Sequence, residues 1–503
     1  MRNAFRVLLV YPNLQSANLI PSSIGILSAC LKEAGFEVKV FDTTLYKTKD
    51  GGPDDKRVEY GHFRAYSMEY MKTDVFYDFK KLVGEYKPGL IGVSAVDSTY
   101  ELGLKLISNI NHEKIHIIFG GVFPTFSPEE LIRNKHVDSI CIGEGEETLV
   151  ELCKCLQNEE PILHIENLMI KKLDGSIIKN KLRKVVDIDK LPHENFDAFN
   201  EERFLRPMQG KLKRMLPVMI DRGCPFVCTF CVEHAVKSLF KEADIGSNYR
   251  TKSVEIIKDN LEHLVAKYKP DYIYFNSETL FAYPIKKFVK LAEFYSEKIN
   301  LPFFASTRIE TVSDDKIKIL KNMGCDRLSF AIEHGNEEFR KKVLKKQFSN
   351  KQVLKAFEIV KKNGLASTNF NIVGFPDETR ELAFDTIRLN REVIYGSEID
   401  ITTSISPFQP YTGTFLRNVC LEKGYIKDLH KGGSLTSNSV LNMPGFTSLE
   451  IEGICRTFAM YVKMPESFWP EIEVAEKFDE TGNREFDRLK EIYLKDYFAY
   501  RHS

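Results

Sequence analysis

Short apolar runs alternate with amphipathic segments through the first third of the chain. Residues 22–36 place apolar side chains at helical spacing, and Gly35 supplies a stop for that helix. The apolar runs are rich in β-branched and aromatic residues and are shorter than ordinary helices, so they predict buried strands. They are "FRVLLVYP" (5–12), "EVKVFD" (37–42), "LIGVSAV" (90–96), "IHIIFGG" (115–121) and "DSICIGEGE" (138–146).

Strands that alternate with helices predict a doubly wound α/β sheet over residues 1–160. In such a sheet, ligands bind beyond the carboxyl ends of the strands. The loops expected there carry small residues, and glycine allows close backbone approach. Each loop alone is equally a plain tight turn, but all of them arrive at the same edge, which favours a ligand crevice. The candidate residues are Ser94, Gly120, Gly121, Thr125, Gly143 and Gly145.

The rest of the chain divides into further regions. Residues 50–75 break the alternation and predict an insertion, either a lid or an element beside the substrate. Residues 161–205 predict a hairpin with Asp-Gly at its turn, followed by an extended linker. Residues 206–410 resume the alternation and predict a partial or full (β/α) barrel with function at the strand carboxyl ends. Residues 411–503 have helical patterns and predict an α-helical region.

The bulk composition excludes some classes of protein. The 503 residues include 71 basic and 71 acidic side chains, and this zero net charge argues against nucleic acid as a partner. The N-terminus lacks the features of a secretory signal, and no run approaches the ~18 apolar residues of a transmembrane helix. We therefore expect a cytoplasmic protein. Seven of the ten cysteines lie in apolar or helical contexts and are expected to be buried small hydrophobes.

The other three cysteines form a compact group. Cys224, Cys228 and Cys231 follow a predicted strand in the spacing C-x3-C-x2-C. Three thiols so close together on a loop are too reactive for a purely structural role. A zinc site needs a fourth ligand, which His234 would supply, although the segment after Cys231 has a helical pattern. An iron–sulfur cluster held by three thiolates leaves one iron open to another ligand.

This cysteine spacing, with Phe230 before the last cysteine, resembles the signature of radical S-adenosylmethionine (SAM) enzymes. Later segments match that family in the same order: "FNSE" (275–278), "STRIE" (306–310), "FAIEHG" (330–335) and "FNIVGFPDET" (370–379). The resemblance implies that the cysteines hold a [4Fe–4S] cluster whose open iron binds SAM.

The same resemblance implies contacts to SAM from other residues. Glu278 matches the acceptor of the SAM amino group, and Arg308 the position near the ribose or carboxylate. Arg308 and Glu333 are equally interpreted as ion-pair residues of the barrel rim. The whole implied set is Phe230, Glu278, Arg308, Glu333, Gly374 and Pro376.

The N-terminal segments resemble the cobalamin-binding domain of one large subgroup of these enzymes. "GGVFPTFSPEE" (120–130), "GEGEETLVEL" (143–152) and "LPHENFD" (191–197) match its motifs and linker. The resemblance implies that the small residues of the crevice contact cobalamin. Phe123 stands where the subgroup usually has histidine, and no D-x-H-x-x-G segment offers a lower axial ligand. The absence of this ligand implies cobalamin with a displaced tail, and it leaves open a chain that has lost the cofactor.

The resemblance implies an enzyme that reductively cleaves SAM and, with cobalamin, methylates an unactivated carbon of a small-molecule or lipid-like substrate. An oxidative cyclase or ring-rearranging enzyme with the same cofactors is the alternative. A transfer RNA methylthiotransferase is disfavoured because the N-terminal cysteines are not spaced for a second cluster. A zinc-bound scaffold would contain zinc without iron. Hydrogen abstraction requires no acid–base pair, so no catalytic residue is assigned, and reduced flavodoxin or ferredoxin is the implied electron donor.

Overall fold

The computed structural model of the protein describes residues 5–14, 19–48, 69–208, 211–395, 397, 399–426, 433 and 438–498. Most of the predicted insertion at 50–75 lies outside the described residues. Two seven-stranded sheets make up the framework, and a group of helices follows them.

The first sheet has the strand order β2-β1-β3-β4-β5-β6-β7, and β1 to β5 are parallel. This is the predicted doubly wound sheet. Its strands are β1 (Arg6–Tyr11), β2 (Glu37–Asp42), β3 (Leu90–Ser94), β4 (His116–Gly120), β5 (Ser139–Cys141), β6 (Leu168–Lys171) and β7 (Ile177–Lys179). Its helices are α1 (Ser22–Glu33), α2 (Val75–Tyr86), α3 (Tyr100–Ser108), α4 (Val122–Phe126), α5 (Pro128–Ile132) and α6 (Glu146–Asn158).

Local sequence explains where these elements begin and end. The apolar interior of β1, from Val7 to Val10, is buried on both faces, as a central parallel strand requires. The side chain of Asp74 caps α2 by accepting hydrogen bonds from the backbone of Phe76 and Tyr77. The predicted Asp-Gly hairpin is present as β6 and β7, which pair antiparallel and extend the first sheet.

The second sheet has the order β16-β15-β14-β13-β12-β9-β8. Strands β9 and β12 to β16 are parallel, and β8 is an antiparallel edge strand. Among the described residues, the two end strands, β8 and β16, do not pair with each other, so the barrel is partial. Its strands are β8 (Leu205–Met208), β9 (Lys211–Met219), β12 (Tyr272–Asn276), β13 (Phe303–Thr307), β14 (Cys325–Glu333), β15 (Ala366–Val373) and β16 (Ile401–Pro407), with a separate ribbon of β10 (Asp221–Arg222) and β11 (Arg250–Thr251).

Seven helices accompany these strands. Most of them cover the outer face of the sheet, where alternate strand residues such as Ile273 and Leu328 join one large apolar core. The helices are α7 (Val232–Glu242), α8 (Val254–Tyr268), α9 (Ile285–Phe294), α10 (Asp314–Asn322), α11 (Glu337–Lys342), α12 (Asn350–Lys362) and α13 (Arg380–Ile394).

The last helices form the predicted α-helical region. They are α14 (Phe415–Glu422), α15 (Ser448–Lys463), α16 (Trp469–Ala475) and α17 (Glu480–Ile492). Thr447 and Glu450 form a capping box at the start of α15, which is buried on all sides. Trp469 packs edge-on against Phe384 and Tyr461. Within the described residues, every helix is too short or too polar to cross a bilayer.

Candidate active site between the two sheets

A cavity of about 410 Å³ lies where the carboxyl ends of the two sheets face each other. Both sheets contribute to its wall, so the predicted crevice and the predicted barrel mouth are one site. The first sheet supplies all six predicted crevice residues: Ser94, Gly120, Gly121, Thr125, Gly143 and Gly145. The barrel side supplies Met219, Asp221, Arg222, Gly223, Asn276 and Glu278.

The wall formed by the first sheet is shaped by backbone. Gly121 has φ +103°, and a Cβ there would lie 2.6 Å from the carbonyl oxygen of Ala95. The Thr125 hydroxyl donates to the Gly121 carbonyl oxygen at 2.8 Å and accepts from the Gly143 amide at 3.1 Å. These contacts fix two glycine loops against each other. The wall is therefore a bare, rigid surface that a large flat ligand can approach closely.

Phe123 does not face this cavity. It is buried and stacks on Tyr100 with ring centroids 4.0 Å apart. It thus packs in the core of the first sheet's helical layer. In the part of the chain that the structure describes, the cavity lining includes no histidine.

The cysteine loop leaves the second sheet directly after β9 and β10. Gly223 opens it with φ +82°, and a Cβ there would overlap the carbonyl group of Asn248. Cys231 occupies the N-cap position of α7. The Thr229 hydroxyl donates to the carbonyl oxygen of Val343 at 2.6 Å, which ties the loop to the segment after α11. The loop is therefore held at both its start and its middle.

The protein environment disfavours ionisation of free thiols in this loop. Burial raises the pKa of Cys224 to about 11, and the nearby Cys228 thiol adds to the shift. Burial raises the pKa of Cys231 as well. Bound iron would reverse this balance, because a thiol loses its proton when it coordinates a metal ion. In the described residues, no set of three His, Cys, Asp or Glu side chains is arranged around a single ion position.

Arg308 lies against the cysteine loop. Its Nη1 donates to the Sγ of Cys228 at 2.9 Å, and its guanidinium lies 3.9 Å from the ring centroid of Phe226. Its Nε and Nη2 both donate to Oε1 of Glu310, at 2.9 and 2.6 Å. The structure therefore places Arg308 in an ion pair and next to a predicted cluster ligand.

Three carboxyl groups face the cavity beside the cysteine loop. Burial raises the pKa of Glu278, whose side chain opens onto the cavity. Burial, reinforced by repulsion from Glu278, raises the pKa of Asp221 and of Glu233 to about 7. The Ser277 hydroxyl donates to Asp221 at 2.7 Å. This part of the wall suits a ligand that brings positive charge.

The remaining predicted SAM residues lie around the loop and not in the cavity wall. Glu333 is buried and pairs with the Nζ of Lys346 at 3.1 Å. Glu378 accepts hydrogen bonds from the amides of Gly374, at 2.6 Å, and Phe375, at 2.9 Å, just before Pro376. Phe230 packs edge-on against Phe375, with centroids 5.6 Å apart. The carboxylate of Glu378 therefore fixes the turn that Phe230 supports.

Contacts between residues far apart in sequence join the two walls, and these pairings were not predicted from the sequence. Glu144, in the "GEGEET" segment, accepts hydrogen bonds from Arg222 at 2.9 Å and from Arg250 at 3.0 Å. Glu146 pairs with Arg222 at 2.7 Å. The backbone amide of Thr412 donates to Asp97 at 2.9 Å. The acidic residues of "GEGEET" were a visible signal, but their partners lie far away in sequence.

Two family models match the chain. The "Radical SAM superfamily" model matches residues 218–389, and the "B12 binding domain" model matches residues 61–153. The first range begins within β9 and contains the cysteine loop. The second range ends within α6 and contains both glycine loops.

Curated relatives include methyltransferases and cyclases. An uncharacterized methyltransferase of Pyrococcus horikoshii is 28% identical over 76% of this chain and 80% of the relative. The cytidylyl-2-hydroxyethylphosphonate methyltransferase of Streptomyces wedmorensis is 20% identical over 84% of this chain and 82% of the relative. The anaerobic magnesium-protoporphyrin IX monomethyl ester cyclase of Rubrivivax gelatinosus is 21% identical over 77% of this chain and 66% of the relative.

Solved structures share the fold. The cobalamin-dependent SAM radical enzyme OxsB, in a structure with aqua-cobalamin and SAM, matches 98% of this chain and 71% of its own, with 16% identity and a TM-score of 0.65. The radical SAM methyltransferase TsrM from Kitasatospora setae matches 84% of this chain and 78% of its own, with 16% identity and a TM-score of 0.61. The chain is a radical SAM enzyme that joins a B12-binding domain to a radical SAM domain, a family whose cofactors are a [4Fe–4S] cluster, SAM and cobalamin.

Proposed function

We propose that this enzyme is a cobalamin-dependent methyltransferase that acts on an unactivated carbon of a small-molecule or lipid-like substrate. The observation that carries this proposal is the shared cavity. A methyl carrier on the first sheet and a radical source on the second would face the same space, and a substrate between them would reach both.

The three cysteines are the proposed ligands of the cluster. Cys224, Cys228 and Cys231 would hold three irons and leave the fourth to the amino and carboxylate groups of SAM. Glu278 would accept a hydrogen bond from the SAM amino group, because its carboxyl faces the cavity next to this loop. The Gly374–Pro376 turn would present backbone to adenine, with Phe230 supporting it from behind.

Arg308 and Glu333 are assigned positioning roles. The guanidinium of Arg308 holds Cys228 and reaches Glu310, and Glu333 is paired with Lys346. Both side chains fix the loops that surround the cluster.

The small residues of the first wall are the proposed cobalamin contacts. Ser94 and Thr125 offer hydroxyls, and the four glycines expose backbone without side chains. When bound, the cluster supplies the electron that cleaves SAM, and cobalamin carries the methyl group. The protein's task is to hold both groups and to exclude water from a radical.

The overall reaction balances with two SAM molecules and two electrons. One SAM loses its methyl group and leaves as S-adenosylhomocysteine. The other splits into methionine and 5′-deoxyadenosine, and the hydrogen removed from the substrate ends on the deoxyadenosine. The electrons require an external donor, for which a reduced flavodoxin or ferredoxin is the proposed class.

Labelled SAM tests the methyl transfer. The anaerobic enzyme would be incubated with SAM carrying a trideuterated methyl group, reductant, and an extract of candidate small molecules. We expect a product heavier than its precursor by one trideuterated methyl group in place of one hydrogen, together with equal amounts of S-adenosylhomocysteine and 5′-deoxyadenosine.

The cyclase alternative has its own supporting observation, namely the similarity to the magnesium-protoporphyrin ester cyclase over 77% of this chain. A cyclase or ring-rearranging enzyme would yield 5′-deoxyadenosine without S-adenosylhomocysteine and without deuterium in the product. That result would replace methylation with the alternative.

A further inference from the structure

Every second residue of each barrel strand points to the inner face of the sheet. Strand register aligns Tyr274 with Phe304 across β12 and β13, and Phe370 with Ser404 across β15 and β16. The intervening positions point outward; Asn369, for example, is buried and donates to Asn390 on α13. The inner face therefore borders the space enclosed by the curved sheet.

This inner space continues into the cavity. Met219 and Asn276 are inner-face residues that are aligned in register on β9 and β12, and both line the cavity wall. A molecule inside the barrel would thus extend toward the cysteine loop and the glycine wall.

Aromatic surface lines this space. Tyr274 and Phe304 stack with centroids 5.3 Å apart and planes 10° apart, so each ring covers one face of the other and leaves its second face outside the pair. Phe370 is 41% exposed although its sequence neighbour Asn369 is fully buried. A phenylalanine ring exposed inside a hollow is available to stack against a planar ligand.

The other inner-face groups are mainly neutral. The Ser329 hydroxyl donates to that of Ser306 at 2.7 Å, and Ser404 on β16 is aligned with Phe370. Such hydroxyls orient a ligand without demanding a charge on it.

Two arginines break this neutrality. Arg327 is aligned with Phe304 across β13 and β14 and pairs with Asp400. Arg206 is aligned with Lys213 across β8 and β9, and among the described residues its guanidinium hydrogen-bonds to the sulfur of Met215, at 3.8 Å, and to no carboxylate. The buried arginines Arg203 and Arg308 each pair with a carboxylate instead.

The position of Arg206 points it toward the aromatic surface. Burial lowers its pKa, and Tyr274 and Tyr272 lie close enough to oppose that shift. The fork of donors of a guanidinium without a paired anion matches a carboxylate or phosphate.

We propose that the substrate is a flat, largely apolar molecule with one oxyanion group, whose ring stacks between Phe370 and the Tyr274–Phe304 pair and whose anion binds Arg206. This inference rests on the proposed function and names the substrate class for the same site. The end opposite the anion would project toward Met219 and Asn276, where the reaction takes place.

Fluorescent probes test the proposal without knowledge of the substrate. The cofactor-loaded enzyme would be titrated anaerobically with 1-pyrenebutyrate, 1-pyrenebutyl phosphate and the neutral 1-pyrenebutanol. We expect at least one anion to bind about 10-fold more tightly than the alcohol, as a charge-assisted hydrogen bond predicts. The butyrate and phosphate probes show which oxyanion the site prefers.

Variants locate the binding. Arg206→Gln should remove the preference for anions, and Arg206→Lys should keep part of it. Phe370→Ser should weaken the binding of all three probes by roughly the same factor, because it removes a stacking contact and leaves the charge of the site unchanged. Arg484→Gln is the matched control, since Arg484 is an exposed arginine on α17, and it should bind all probes like the unmodified enzyme.

Several outcomes would overturn the proposal. In the first, no probe binds. In the second, the anions and the alcohol bind equally well. In the third, the Arg206→Gln variant keeps the same preference for anions as the Arg484→Gln variant. Reductive SAM cleavage by the unmodified enzyme is measured in parallel and needs no probe. If cleavage fails, the proposed function fails; if cleavage succeeds and the anion preference is absent, only the substrate class is wrong.

Discussion

The two walls of the central cavity are built in contrasting ways. On the first sheet, glycines such as Gly121 and Gly143 define a surface by backbone shape. On the barrel, the wall is defined by charged side chains, including Asp221, Arg222 and Glu278. The difference is consistent with our proposal that one wall holds a large cofactor by its surface and that the other acts through particular functional groups.

This contrast predicts different sensitivities. A change of shape should damage the first wall, whereas a change of functional group at constant shape should damage the second. Each of the following variants tests one wall.

Glu278→Gln should have the largest effect among the single variants. It keeps the shape of the side chain but removes the charge proposed to bind the SAM amino group. We expect SAM to bind about 10–100-fold more weakly, as measured by equilibrium dialysis, with cobalamin binding unchanged. Glu233→Gln is the matched control, because Glu233 faces the same cavity without an assigned ligand. Equal losses in both variants would contradict the role of Glu278.

Gly121→Ala should weaken cobalamin binding about 10-fold while the iron content stays the same. The added Cβ meets the Ala95 carbonyl at a positive φ, and a cost of about 1–3 kcal/mol is expected for such strain. Gly35→Ala is the control, since Gly35 also has a positive φ but a Cβ added there would have no atom within 4 Å. If both variants lose cobalamin alike, general destabilisation explains the effect.

Arg308→Gln should lower the reduction potential of the cluster by about 50 mV. The hydrogen bond to Cys228, which this substitution removes, is expected to stabilise the more negative reduced cluster by roughly 1 kcal/mol. Potentiometry followed by electron paramagnetic resonance measures the shift, and Arg308→Lys should restore part of it. An unchanged potential with full iron content would show that Arg308 does not act on the cluster.

Asp221→Asn should have the smallest effect, an increase in the melting temperature of the cofactor-free protein of about 1–2 °C at pH 8. The folded pKa of Asp221 is raised to about 7 from 3.8, so ionisation destabilises the fold as pH rises through that window. The penalty is absent below the unfolded pKa and complete above pH 7. If Asp221→Asn raised the melting temperature as much at pH 5 as at pH 8, ionisation of Asp221 would not be what destabilises the fold.

The same contrast explains what could be predicted from the sequence. The strands were predictable because their apolar runs are short and uniform, and the first sheet and the barrel are both confirmed. The fold, the family and its cofactors are likewise confirmed. The cysteine ligands, the SAM and cobalamin contacts and the domain boundaries stay predictions.

Contacts between distant segments were not predictable. Glu144 meets Arg222 and Arg250 across 78 and 106 residues, and Arg308 meets Cys228 across 80. No local pattern records which arginine will reach which acid. Phe123 illustrates the same limit, since its departure from the motif was visible but its burial against Tyr100 depends on packing.

The most direct test of the account is the cluster itself. The unmodified enzyme and the variant with Cys224→Ala, Cys228→Ala and Cys231→Ala would be reconstituted anaerobically with iron, sulfide and cobalamin. A control would replace three buried cysteines elsewhere, Cys153, Cys325 and Cys420. We predict that only the variant without Cys224, Cys228 and Cys231 loses iron, sulfide and 5′-deoxyadenosine formation, while it still binds cobalamin. If that variant holds as much iron and sulfide as the unmodified enzyme and still cleaves SAM, these three cysteines do not hold the cluster.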